Sequence, residues 1–201
     1  MKFRPTVGEI LQAKGISRRG FMKYCATTAS LLALPPSMIP RIAAAIENAR
    51  RPSVIWLSFQ ECTGCTESLT RSASPTVEGL IFDAISLDYH HTLQAASGDQ
   101  AEAARHAAME ENDGSYLVLV DGSIPTANPG YSTIAGISNV DMLEETVKGA
   151  AAVVAIGSCA AFGGLPGADP NPTGAVSVQE LVTDKPVVNV PGCPPIPMVM
   201  T

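Results

Sequence analysis

Positive charge is scarce beyond residue 45. The last 156 residues hold six Lys or Arg against 18 Asp or Glu, a formal net charge of −12. Such an acidic body repels phosphate backbones, so DNA and RNA are excluded as expected partners. No apolar run suits a membrane span either. The run from Tyr24 to Ile39 is short and is broken by Pro35-Pro36. Cysteine is also sparse, with five in 201 residues. There is no second Cys-x-x-Cys pair, no tandem Cys-Cys, and no cysteine after Cys193. What is there, 46% hydrophobic and 16% charged residues, is a globular composition whose length suits one domain.

The first 45 residues reverse the charge balance, with seven Lys or Arg and a single acid, Glu9. Ser17-Arg18-Arg19-Gly20-Phe21-Met22-Lys23 leads into the interrupted apolar run, and Ala43-Ala44-Ala45 follows Arg41-Ile42. Basic region, apolar region and small-residue site, in that order, describe a cleavable signal peptide. The paired arginines resemble a twin-arginine export signal. The expected organisation is therefore a signal over residues 1–45 and a body over 46–201, with a periplasmic destination. Cys25 falls in the removed segment, which leaves four cysteines.

The body alternates strand-like and helix-like stretches. Strands are expected at Ser53–Ser58, Ile81–Tyr89, Ser115–Asp121, Ala151–Gly157 and Pro186–Val190. The third is near-continuously apolar, as buried parallel strands are. Helices are expected at Thr66–Ser74, Gln94–Asn112, Asp141–Gly149 (with Asp141 as cap) and Val176–Val182. Strand–helix alternation implies parallel pairing with right-handed crossovers. The expected fold is α/β, a flavodoxin-like doubly wound parallel sheet of five strands in the order 2-1-3-4-5.

Each remaining cysteine follows a strand. Cys62 and Cys65 come after the first, in Glu61-Cys-Thr-Gly-Cys-Thr-Glu-Ser68. Cys159 follows the fourth, in Gly157-Ser-Cys-Ala160, and Cys193 follows the fifth, in Pro191-Gly-Cys-Pro-Pro195. Parallel strands all end on one edge, so three loops should deliver four thiols to one rim. Four thiolates fit an iron–sulfur cluster, with Gly64, Gly157 and Gly192 allowing close backbone approach. A tetracysteine zinc site, disulfides in an oxidising compartment, and a redox pair at Cys62/Cys65 remain alternatives at this level. The loop after strand one carries two cysteines where a flavin-phosphate loop would be rich in Ser, Thr and Gly. His90 and His91 lack paired spacing with acids or cysteines and are expected to be solvated or interface residues.

Five segments together resemble the small subunits of nickel–iron hydrogenases: E-C-T-G-C-T-E-S, D-G-S-I-P, G-S-C-A-A-F-G-G, N-P-T-G-A and P-G-C-P-P-I-P. The resemblance covers nearly the whole chain. It implies that Cys62, Cys65, Cys159 and Cys193 ligate a proximal [4Fe-4S] cluster, the nearest to a nickel–iron site on a separate large subunit. It implies reversible H₂ oxidation there, with electrons passing outward through this chain to an acceptor such as a cytochrome. The family's hydroxyl matching Thr63 is linked to a proton path from the large subunit, with bonding of the local turn backbone as its other role; Glu61 is a candidate for the same path but is expected as an interface charge. In family members that work in air, the cluster resembles an altered form with two extra cysteines. The positions concerned are Gly64 and Gly164 here, so a standard cluster is expected. The family continues into a C-terminal domain with two further clusters, so this chain is expected to be part of a longer one. The related cluster subunit of a quinone-reducing respiratory complex resembles a tandem Cys-Cys at the first site, where this chain has Glu61-Cys62. An exported zinc- or disulfide-stabilised binding domain is the alternative from another class.

Overall fold

The protein is described from a computed structural model over residues 6–201. Lys2 and Arg4 of the basic head lie outside the described residues. The chain divides into two compact units, Met1–Arg51 and Pro52–Thr201.

The first unit is helical: α1 (Val7–Ala13), α2 (Arg18–Leu31) and α3 (Ile39–Asn48). Thr6 and Glu9 form a capping box that starts α1, and Ser17 Oγ accepts the Gly20 N–H to start α2. Arg18 and Arg19 are therefore the first two residues of α2. Phe21, Cys25 and Ala43 form the small core, flanked by Leu11, Ile39, Ile42 and Ile46. The segment Ala43–Ala45 lies inside α3. Among the described residues no helix is long and apolar enough to cross a membrane.

The second unit is built on five parallel strands: β1 (Ser53–Ser58), β2 (Ser86–His90), β3 (Tyr116–Asp121), β4 (Ala150–Ile156) and β5 (Val187–Val190). Their order is β2-β1-β3-β4-β5, the doubly wound order expected from the alternation. The two-residue strand period divides the core between the faces. Ile55, Leu57, Val118, Val120, Val153 and Ala155 join one apolar cluster, under α5 (Asp99–Glu111) and α6 (Asn139–Val147). Trp56 and Ile156 join the other with Leu69 of α4 (Gly64–Thr70), and Cys65, Leu119 and Val154 pack against it. Short helices α7 (Gly157–Phe162) and α8 (Val178–Leu181) follow β4 and precede β5.

Several expected elements shift. The stretch Ile81–Tyr89 is a strand only from Ser86. Thr76 Oγ1 accepts the Gly79 N–H to start a helical turn that runs on as a π-helical turn over Leu80–Ala84. Ser138, not Asp141, caps α6, its Oγ accepting the Asp141 N–H at 3.1 Å. The helix expected from Val176 begins at Val178, because Ala175–Val176 pairs antiparallel with Ile124–Pro125 and a Ser177–Glu180 capping box starts α8. Helix α4 begins at Gly64, so Cys65 is inside it.

The histidines are not solvated. His90 is fully buried, its ring tilted 45° against Trp56 with centroids 4.9 Å apart, and its Nδ1 accepts the N–H groups of Thr92 (3.0 Å) and Leu93 (3.3 Å). The ring proton therefore belongs on Nε2, facing Thr66 Oγ1 at 3.4 Å. Burial, reinforced by the charge of His91, pushes its pKa down to about 4. In the unfolded chain His90 takes up a proton near pH 6.5, whereas in the fold it resists until pH 4. Its contribution to stability is intact above pH 6.5 and falls as pH drops from there to 4, by about 3 kcal/mol. His90→Asn, which can still accept the two N–H groups, is expected to flatten that acid limb in urea unfolding at pH 7 and 4.5. An unchanged slope would place the titration elsewhere.

Candidate metal centre

The carboxyl ends of β1, β3, β4 and β5 open onto one cleft, lined by Cys62, Cys65, Cys159 and Cys193 together with Glu61, Gly122, Ser158 and Pro194. The convergence expected from strand-end placement is present. Parallel pairing aligns the strand ends, with Ser58 opposite Asp121, Asp121 opposite Ile156, and Ile156 opposite Val190. Local bonds then draw the loops together. Gln60 and Ser123 exchange backbone hydrogen bonds at 3.1 Å in both directions. A Cβ on Gly122 would lie 2.9 Å from the Gln60 backbone, so only glycine admits this approach.

Backbone shape at the Cys-x-x-Cys turn is strained. Thr63, between the two cysteines, has φ +66°, a conformation that β-branched residues rarely adopt. The turn exposes Cys62 and sends Cys65 inward, its thiol facing the Ile156 carbonyl at 3.8 Å. Thr63 Oγ1 donates to Glu61 Oε1 at 3.3 Å, so the two proton-path candidates are hydrogen-bonded to each other.

Glycines face three of the four sulfurs. Added Cβ atoms would stand 3.2 Å from Cys62 Sγ at Gly64, 2.5 Å from Cys65 Sγ at Gly157, and 2.6 Å from Cys159 Sγ at Gly164. Any side chain at Gly157 or Gly164 would enter the volume that the thiols border. All five cysteines are free thiols, which gives the disulfide alternative no support. Among the described residues no three His, Cys, Asp or Glu are gathered tightly enough for one metal ion.

The electrostatics link the thiols. Burial, then the negative charges of Asp121, Cys159, Cys62 and Glu61, push the Cys65 pKa up to about 12. Cys159 is raised by burial and by Cys193, Cys62 and Asp121, against the opposing effect of the Leu165 N–H. Glu61 is raised by burial and by Asp121, against the Thr63 hydroxyl. These shifts hold Cys65 and Cys159 as neutral thiols, so a bound cation would have to displace their protons.

Asp121 is a site residue that sequence reading left unassigned. It is fully buried, its Oδ1 accepts from Trp56 Nε1 at 3.0 Å, and burial raises its pKa against that hydrogen bond. Its signal was an acid ending an otherwise apolar strand, Tyr116–Asp121.

Known proteins are similar to this chain in sequence and fold. Residues 62–201, which include all four body cysteines, match the family described as NADH ubiquinone oxidoreductase, 20 Kd subunit. The hydrogenase-2 small chain of Escherichia coli K12 is 49% identical over 189 residues, covering 94% of this chain and 51% of its own. The uptake hydrogenase small subunit of Azotobacter vinelandii is 46% identical over 197 residues, covering 98% and 55%. A reduced, active nickel–iron–selenium hydrogenase from Desulfomicrobium baculatum superposes with a TM-score of 0.72 at 37% identity, over 75% of this chain and 60% of that one. The chain thus spans about half the length of the curated relatives it matches. It belongs to the NADH ubiquinone oxidoreductase 20 Kd subunit family, and within it resembles the hydrogenase small subunits.

Proposed function

We propose that this chain is the electron-transfer small subunit of a nickel–iron hydrogenase. In this reading Cys62, Cys65, Cys159 and Cys193 hold one [4Fe-4S] cluster. It would carry electrons from H₂ oxidation at a partner large subunit, which bears the nickel–iron site, toward an acceptor such as a cytochrome. The observation that carries this is the convergence of four thiols from three strand-end loops on one cleft, with glycines against three of the sulfurs. The donor set fits the group: four soft thiolates, one for each iron, in a recess where glycines rather than side chains stand against three of the sulfurs.

When bound, the cluster supplies one-electron chemistry; the residues around it supply position and insulation. Cys65 sits deepest, and Trp56, Leu69 and Ile156 exclude water beneath it. Gly64 and Gly164, with no thiol of their own, support a four-thiolate site. The Thr63–Glu61 hydrogen bond supports a proton exit at the same rim, with Glu61 held above the usual carboxylate range and so able to keep a proton nearer neutrality.

The test is iron and acid-labile sulfide analysis of the complex purified without oxygen. About four irons and four sulfides per chain are expected for a cubane. Stoichiometric zinc without sulfide would end this reading and favour the zinc-stabilised binding domain.

Residues 1–45 are proposed to act as a twin-arginine signal, which directs the folded subunit to the periplasm. Replacing both Arg18 and Arg19 by Lys keeps the charge and the α2 start, yet is expected to leave the precursor in the cytoplasm. Cell fractionation and immunoblotting would show it, and normal processing of the double variant would refute the signal.

A further inference from the structure

Cys193 is the least secured of the four thiols. It is exposed and follows β5, an edge strand paired only with β4, with Val188 53% exposed. Cys62 and Cys65, by contrast, flank the start of α4, and Cys159 lies within α7.

Two serine hydroxyls reach the Cys193 loop from opposite sides. Ser158, beside Cys159, makes a reciprocal pair with Gly192: its N–H donates to the Gly192 carbonyl at 2.7 Å, and its Oγ accepts the Gly192 N–H at 3.3 Å. Ser68, one turn beyond Cys65 on α4, is buried and its Oγ donates to the Pro195 carbonyl at 2.6 Å. These contacts bracket Cys193 in sequence, one residue before it and two after. The loop between them is tight, since a Cβ on Gly192 would come within 2.5 Å of Pro195 Cα. Pinning both ends therefore fixes the piece that carries the thiol.

We propose that Ser68 and Ser158 are positioning residues for the fourth thiolate, clamping the Cys193 loop to the two helices that carry Cys65 and Cys159. The inference rests on the [4Fe-4S] reading. It assigns a particular weak corner: without the clamps, the iron held by Cys193 is the one that leaves. The chemistry balances with ferricyanide as oxidant. A [4Fe-4S]²⁺ cluster gives one electron to ferricyanide and releases one Fe²⁺, leaving [3Fe-4S]⁺ and one thiolate without its iron.

The experiment compares the wild-type complex with Ser68→Ala and Ser158→Ala, all purified without oxygen. Ferricyanide is added, and the [3Fe-4S]⁺ signal is followed by electron paramagnetic resonance. Iodoacetamide then labels the freed thiol for mass spectrometry. Ser68→Ala is expected to convert roughly tenfold faster than wild type, the scale of one lost buried hydrogen bond, and Ser158→Ala, which keeps its 2.7 Å backbone bond to Gly192, about threefold faster, with the label on Cys193 in both. A general loosening of the fold would instead spread label over all four cysteines. Wild-type conversion rates in both variants, or label chiefly on Cys62, Cys65 or Cys159, would overturn the proposal. Ser158 is only half-buried, so its variant decides the matter if Ser68→Ala fails to fold. Wild-type complex without four irons would defeat the cluster reading itself, a distinguishable result.

Discussion

Gly157→Ala is expected to lose most of its iron while the parallel sheet persists. Gly157 starts α7 at φ +85°, and an added Cβ would fall 2.5 Å from Cys65 Sγ, with the Gly192 carbonyl at 3.6 Å. The methyl group therefore displaces the sulfur or is itself displaced with the β4–α7 turn. The backbone alone contributes a penalty of roughly 1–2 kcal/mol for an L-residue in the left-handed region. Sulfur displacement acts on the metal, where a misplaced supporting shell typically costs about 10–100-fold in affinity. Gly163→Ala separates the two effects. Gly163 has nearly the same φ, +83°, but its closest contacts to an added Cβ are 3.6 Å away and include no sulfur. Both variants should lose similar thermal stability, and only Gly157→Ala should lose iron. Equal iron loss in the two would show that backbone strain, not crowding of Cys65, controls the site.

The reason this site was legible from sequence is that each cysteine follows an apolar run. Ser53–Ser58 and Ala150–Ile156, which precede three of the four, are central strands either side of Tyr116–Asp121 and largely buried, and such runs stand out without any pairing information. Once they are read as parallel, their ends share an edge and the thiols must meet. The misreadings arose where short apolar runs have no distinct period. Ile81–Ala84 looks like strand and lies in a π-helical turn; Val176 looks like helix and pairs as strand. Side chains that act across the fold were also hidden. Nothing near Ser68 or Ser158 in sequence announces Pro195 or Gly192 as a partner. His90 and His91 have no motif to show that one would pack its ring against Trp56 and the other would accept the Ser58 N–H.

Arg105 is the clearest hidden residue, and its removal carries the largest expected cost to stability. In sequence it is one cation in an Ala- and Glu-rich helix, a pattern of solvent exposure. In the fold it is wholly buried, donating from Nε to Glu102, from one terminal nitrogen to Glu145 and from the other to Thr146 Oγ1. Burial disfavours its charge, but Glu145 and Glu102 together outweigh that and raise its pKa. Glu102 also accepts from Tyr89 OH at 2.6 Å, and Tyr89 OH meets His91 Nε2 at 3.0 Å. His91 Nδ1 in turn accepts the N–H of Ser58, the last residue of β1. The guanidinium thus anchors a chain of hydrogen bonds that ends at the strand leading to Cys62. Arg105→Met preserves much of the volume but leaves Glu102, 16% exposed, as a nearly buried and unpaired anion. Breaking such a pair from one side costs about 3–5 kcal/mol, which lowers the melting temperature by roughly 10 °C for a chain of this size. Glu145→Gln is the contrasting change. Glu145 is 41% exposed and its lost charge rehydrates the partner only at the rim, so less than about 1 kcal/mol is expected. Thermal unfolding of both variants measures the difference. Similar small shifts would mean that water reaches Arg105 and that the network contributes little; a large shift for Arg105→Met alone would establish it as a brace beneath the cysteine-lined edge.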